Sequence, residues 1–143
     1  MVEIEVVDGS ALDLDEVAAV YRASGLAERR PPTDSAQFAD MVRGANLVVV
    51  ARVDGRLVGI ARSVSDRAYV TYLSDLAVDA DFQHQGIGRE LVEATRRAAP
   101  RAKIVLLSAP AAVGYYPHIG FTRHDSAWVL ASLDTDPAAR PAG

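Results

Sequence analysis

Polar and apolar residues alternate from Glu3 to Val7, the period-two pattern of a half-buried strand, and Asp8-Gly9-Ser10 closes it. Leu14, Val17, Ala18 and Tyr21 then recur at helical spacing, with Gly25 placed to stop the helix. Beyond an Arg29-Arg30-Pro31-Pro32 loop, a second helix is predicted from Thr33 or Asp34, with Phe38, Met41 and Val42 on one face and Gly44 at its end. Leu47 to Val53 is a β-branched run. Asp54-Gly55 is a two-residue hairpin signal, and Arg56 to Val64 returns as the partner strand. Ser65-Asp66-Arg67 turns the chain again, and Ala68 to Val78 is long enough for a central strand.

The next helix carries Ile87, Leu91, Ala94, Thr95 and Ala98 on its inner face, and Pro100 marks its exit. Lys103 to Ser108 reads as an apolar strand bounded by Ala109-Pro110. A short helix follows over Ala111 to His118, weakened by Gly114 and Pro117. Gly120-Phe121 leads into a last hairpin ending in Trp128-Val129-Leu130. The Pro- and Ala-rich tail 134–143 is predicted to fray. The order β-α-α-β-β-β-α-β-α-β-β predicts one α/β domain over residues 1–133, with helices packed around a mixed sheet.

Composition narrows the functions open to such a fold. The 143 residues include 15 basic and 19 acidic side chains, a formal net charge of -4. A binder of phosphate backbones normally carries a basic excess, so a nucleic-acid partner is not expected. With no cysteine, disulfides, thiolate metal sites and an acyl-cysteine intermediate are all excluded. His118 and His124 have no third ligand at metal spacing, so no metal is expected. Val2 to Val7 shows no leader, and no apolar run approaches the roughly 20 residues of a membrane span. A cytoplasmic protein with no membrane partner is the expectation.

The chemistry concentrates after the central strand. Leu76-Ala77-Val78 ends that strand, and Gly86 and Gly88 open a helix about ten residues later. A helix N-terminus offers unpaired N–H groups and partial positive charge, and glycine lets the backbone approach an anion closely. Strand, glycine turn and helix together suit a pyrophosphate. On the glycines alone, a tight turn without any ligand serves equally well. A P-loop is excluded because no lysine follows the turn's glycines, and a dinucleotide fingerprint lacks its third glycine. Another phosphate ligand remains open at this point.

Gln83-x-x-Gly86-x-Gly88, preceded by Leu76-Ala77-Val78 and followed by an amphipathic helix, resembles the coenzyme-binding signature of the GNAT superfamily of acyl-CoA-dependent N-acetyltransferases. Tyr116-Pro117-His118-Ile119-Gly120-Phe121 resembles that family's tyrosine element, and the element order matches from Glu3 to Leu130. The resemblance implies a mostly antiparallel central sheet and acetyl-CoA as co-substrate. It implies a small-molecule or peptide amine as acceptor, and it leaves the oligomeric state open, a homodimer being common in the superfamily. The sequence departs from the family at Ala109, where an asparagine is frequent.

By the same resemblance, the sheet opens beside Leu76 and the coenzyme pairs with the backbone of Leu76, Ala77 and Val78. Its pyrophosphate meets Gln83, His84, Gln85, Gly86, Ile87, Gly88 and Arg89. A free N–H of Leu76 or Val78 would polarise the thioester. Tyr116 is the candidate proton donor to the departing sulfur, with Tyr115 its rival; a phenol and a thiol have similar enough proton affinities, about 10 and 8.5, for that transfer. Asp75 is the nearest acidic candidate for the base, or it serves loop backbone or a substrate cation. A non-catalytic acyl-CoA-binding module on the same fold is the alternative to an enzyme.

Overall fold

The computed structural model describes residues Met1–Asp134; the predicted tail lies, but for Asp134, outside the described residues. The chain divides into two compact units, Met1–Ser108 and a second beginning at Ala109.

The first unit is built on a five-stranded sheet in sequence order. Its strands are β1 (Val2–Val7), β2 (Leu47–Val53), β3 (Arg56–Ser65), β4 (Val70–Val78) and β5 (Lys103–Val105). All neighbours pair antiparallel except β4 and β5, which run parallel. β2 and β3 are buried along almost their whole length. That is why they read as continuous apolar runs rather than alternation: helices cover both faces. Asp54 and Gly55 both adopt positive φ, 50° and 80°, as a primed two-residue turn demands.

Helices α1 (Leu14–Ser24) and α2 (Ala36–Arg43) cover one face. Val17, Val20 and Tyr21 of α1 and Phe38 and Val42 of α2 form one core with Val48, Val50, Ile60 and Ala77 of the strands. Tyr21 and Phe38 meet edge to face, ring centroids 5.2 Å apart. Helix α3 (Ile87–Ala98) covers the other face. Leu47 packs there with Ala99 and Ala102, just beyond the helix. α3 crosses β3 at Gly59, where an added Cβ would stand 3.1 Å from Leu91 Cδ1 and 3.3 Å from Ile87 Cγ2. Glycine thus gives the closest fit at that crossing, and any side chain there would make Leu91 and Ile87 shift by a few tenths of an ångström.

Two element boundaries in the first unit are corrected. α2 begins at Ala36 rather than near Thr33, because Ser35 accepts the Phe38 N–H through its side chain and so caps the helix. β5 is three residues long rather than six, since its ladder with β4 ends at Tyr72–Val105.

The second unit opens with two 3-10 turns, Pro110–Ala112 and Tyr116–Ile119, in place of the predicted short helix. Gly114 and Pro117 interrupt an α-helical ladder there. Gly120 takes a left-handed conformation, φ 99°, and its N–H closes the second turn. No strand forms among the described residues after Gly120, where a hairpin was expected. Apolar residues such as Trp128-Val129-Leu130 suit a pleated, half-buried surface, but that preference makes no strand without a ladder partner, and a lone hairpin is marginal. Among the described residues, no helix is long and apolar enough to cross a membrane.

Candidate active site

β4 is the centre of the site. Its pairing with β5 covers only Val70, Thr71 and Tyr72, so Leu73–Val78 run on without a strand neighbour on that side among the described residues. The sheet thus opens after Tyr72, four residues earlier than the position beside Leu76 expected from resemblance.

Opposite β3 the register slips by one: Arg62 faces Asp75, whereas Ser63 faces Leu73, and Ser74 is the extra residue of a β-bulge. A bulge of one residue reverses which main-chain groups point to which neighbour. Upstream, the Tyr69 carbonyl accepts the Lys103 N–H, so odd-numbered residues turn toward β5. Downstream, Asp79 N–H donates to Val58 C=O, so odd-numbered residues turn toward β3. The main-chain groups of Leu76 and Val78 therefore face the open edge. Ala77 lies between them with its main chain toward β3 and its side chain in the core. The Gln83 side-chain amide donates to Val78 C=O at 2.9 Å, placing that side chain at the strand end.

The turn beyond is held firmly. Asp79 accepts the Asp81 N–H with one oxygen and pairs with Arg56 Nη2 at 2.8 Å through the other. The Arg56 guanidinium lies over the Phe82 ring. His84 and Gly86 both have positive φ, 64° and 83°. Gly86 is the N-cap of α3 and makes no side-chain cap. This separates α3 from α1 and α2, whose N-termini are satisfied by the side chains of Asp13 and Ser35. The first intrahelical bond runs from Glu90 N–H to Gly86 C=O, so the amides of Ile87, Gly88 and Arg89 precede the ladder. His84, Gln85 and Arg89 are exposed around this N-terminus.

Asp75 is buried, its side chain 0% exposed, and both oxygens are engaged. Oδ2 accepts from Tyr21 Oη at 2.5 Å and Arg62 Nε at 2.6 Å. Oδ1 accepts from Arg30 Nε at 2.5 Å and from Ser74 Oγ at 3.3 Å. Arg62 also donates to Ser74 Oγ and to the Met41 carbonyl of α2, and Arg30 donates to the Ser74 carbonyl. Burial opposes the charge on Asp75. The charge and hydrogen bond of Arg62, the Tyr21 hydroxyl and the charge of Arg30 outweigh it and hold the carboxyl below its usual range. Burial, then the neighbouring carboxylate, pushes the Tyr21 phenol far above its ordinary value.

In the second unit, the Tyr116 ring meets Phe121 and Tyr115 edge to face, centroids 5.4 Å apart in each case. Phe121 N–H donates to Tyr116 C=O at 3.1 Å, so the turn and the aromatic contacts fix Tyr116 together.

Sequence reasoning missed Tyr21, Arg30 and Arg62 as partners of Asp75, and Ser74 as a bulge. A signal existed: Arg62 and Asp75 each interrupt an apolar strand, and a buried charge requires an opposite one.

Breaking a buried ion pair from one side typically costs about 3–5 kcal/mol. Asp75→Asn strands Arg62 and is expected to lower unfolding free energy by about that much at pH 7. The folded carboxyl sits below its unfolded value, so its stabilisation is complete above about pH 4 and is lost as pH falls through the folded value. Urea unfolding across pH should show that loss below about pH 4 in the native chain and a flatter profile in Asp75→Asn.

Residues 9–133 match the family described as Acetyltransferase (GNAT) domain. GCN5-related N-acetyltransferase 2, chloroplastic, from Arabidopsis thaliana is 36% identical over 69 residues, covering 46% of this chain and 27% of that protein. Histone acetyltransferase TAP1 of Glycine max is 35% identical over 69 residues, covering 46% of this chain and 30% of its own length. The chain thus spans less than a third of the length of these relatives. Among solved structures, a GNAT-family acetyltransferase from Streptococcus pneumoniae TIGR4 superposes with a TM-score of 0.72 at 20% identity, covering 92% of this chain and 100% of that one. An aminoglycoside N-acetyltransferase solved in complex with CoA gives 0.69 at 15% identity, over 92% of this chain and 95% of its own. The solved structures share this fold, and the match over residues 9–133 places the chain in the GNAT family of acetyltransferases.

Proposed function

We propose that this chain transfers an acetyl group from acetyl-CoA directly to a primary amine. One observation carries the reading: a strand edge whose Leu76 and Val78 N–H groups face no strand neighbour among the described residues and a helix N-terminus without a side-chain cap stand about ten residues apart, joined by a turn fixed through Arg56 and Asp79. The bare amides of Ile87, Gly88 and Arg89 fit a pyrophosphate in charge and in hydrogen-bonding capacity. The edge of Leu76 and Val78 suits an extended pantetheine arm, which it pairs as it would a strand.

In this reading the Leu76 or Val78 N–H donates to the thioester carbonyl oxygen, where negative charge develops as the amine attacks. The Tyr116 hydroxyl donates the proton that the departing sulfur needs. The chain offers no cysteine to carry the acetyl group, so transfer is direct. Asp75 is not the base here: a carboxylate with two arginines and a phenol on its oxygens holds a proton poorly. The amine gives its proton to water.

Two experiments test this reading. Gly86 has φ +83°, which a β-branched side chain adopts only with strain, while an added Cβ meets nothing within 4 Å. Gly86→Val is therefore expected to distort the anion site while the chain still folds, and to weaken CoA binding at least about tenfold by calorimetry. Unchanged affinity would remove the pyrophosphate from this turn. Tyr116→Phe keeps the aromatic contacts and loses the hydroxyl. With an acceptor found by screening primary amines, turnover should fall about 100-fold with CoA affinity retained, while Tyr115→Phe stays near native. Equal, near-native turnover in both variants would mean that the sulfur takes its proton elsewhere.

A further inference from the structure

The cluster around Asp75 does more than neutralise a buried charge. Ser74, the bulge residue, is gripped through its carbonyl by Arg30 Nη2 at 3.0 Å and through its hydroxyl by Arg62 Nη2 at 2.8 Å. Arg30 comes from the loop between α1 and α2, and Arg62 from β3. Each arginine spends a second nitrogen, Nε, on Asp75, the residue immediately after the bulge. Two guanidinium forks therefore span the same pair of consecutive residues from two sides. Tyr21 of α1 fixes the remaining direction, donating to Asp75 Oδ2. The main-chain phase of β4 reverses at Ser74, and this reversal turns Leu76 and Val78 toward the open edge.

We infer that Arg30, Arg62 and Asp75 are positioning residues that lock the Ser74 bulge and thereby aim the Leu76 and Val78 N–H groups at the thioester. The inference rests on the acyl-transfer reading for the identity of the target, but the locking itself is a property of the free chain. Arg30 is the member to test. Its side chain is 25% exposed, so its loss leaves Asp75 paired with Arg62 and the core intact. The fork geometry matters as well as the charge: a lysine supplies one point charge and cannot span Asp75 Oδ1 and the Ser74 carbonyl in the same plane.

The test uses the full chain as native protein and as Arg30→Met, Arg30→Lys and Ser74→Ala. Acetyl-CoA labelled with 13C at the thioester carbonyl is the probe, and no acceptor is needed. The bound carbonyl should shift downfield in the native chain, reporting the hydrogen bond. In Arg30→Met the shift should fall to less than about half while the dissociation constant stays within about threefold, because the pyrophosphate contacts are untouched. Arg30→Lys should recover part of the shift, and Ser74→Ala should lie between native and Arg30→Met. A native shift in Arg30→Met overturns the inference. So does a loss of shift matched by a proportional loss of affinity, which would show the cluster merely supporting the fold. If the native chain fails to bind the probe, the acyl-transfer reading falls instead. The locking is then decided on the free chain by amide hydrogen exchange of Asp75 and Ala77, whose main-chain groups face β3 just beyond the bulge. Exchange at least about tenfold faster in Arg30→Met supports it, and equal exchange refutes it.

Discussion

A carboxylate with no exposure to water has to be matched by positive charge and by hydrogen bonds on every available lone pair, or it destabilises whatever contains it. Asp75 meets that condition only because α1, the loop after it, β3 and β4 converge there, with α2 held through the Met41 carbonyl. The requirement works in both directions. It ties both helices to the sheet, and it holds β4 at the point where its ladder with β3 slips. Everything proposed for the site lies downstream of that point. A cluster of this kind contributes little net stability compared with an apolar replacement; its contribution is a unique arrangement.

The same strand faces two demands. Toward β3 it must stay paired, and from Asp75 to Asp79 it does. On the side of β5 it must stay open for an extended ligand to pair with it, and the ladder stops at Tyr72. The bulge satisfies both, because one extra residue re-aims the backbone without breaking the sheet. On the other face, Gly59 lets α3 sit against β3, which sets where its N-terminus emerges. Arg56, pairing with Asp79 beside Phe82, ties the intervening turn to the start of β3. The uncapped helix and the open edge are thus held by one continuous set of contacts within the first unit.

Much of this was legible in the sequence where the cause is local. Asp54-Gly55 demands its hairpin, Gly25 stops α1 in a left-handed cap, and the glycine turn before α3 announces an uncapped N-terminus. The family resemblance on Gln83 to Gly88 and Tyr116 to Phe121 is upheld by the match over residues 9–133. What the sequence hides is long-range. Arg30 and Asp75 stand 45 positions apart, Tyr21 and Asp75 54 apart, and no periodicity relates them. The bulge at Ser74 carries no glycine to mark it. The start of α2 was misplaced because Thr33, Asp34 and Ser35 are all plausible caps, and only the geometry chooses Ser35. The final hairpin failed because an apolar run such as Trp128-Val129-Leu130 records a preference for a sheet and not the presence of a partner strand.

In the proposed mechanism, β4's open edge and α3's bare N-terminus form one acetyl-CoA site. A crystal structure with acetyl-CoA bound tests it most directly. Pyrophosphate oxygens are expected within hydrogen-bond distance of the amides of Ile87, Gly88 and Arg89, and the thioester oxygen within the same distance of the Leu76 or Val78 N–H. Coenzyme bound with its pyrophosphate away from the Gly86 turn, or with its thioester away from the edge of β4, would contradict it.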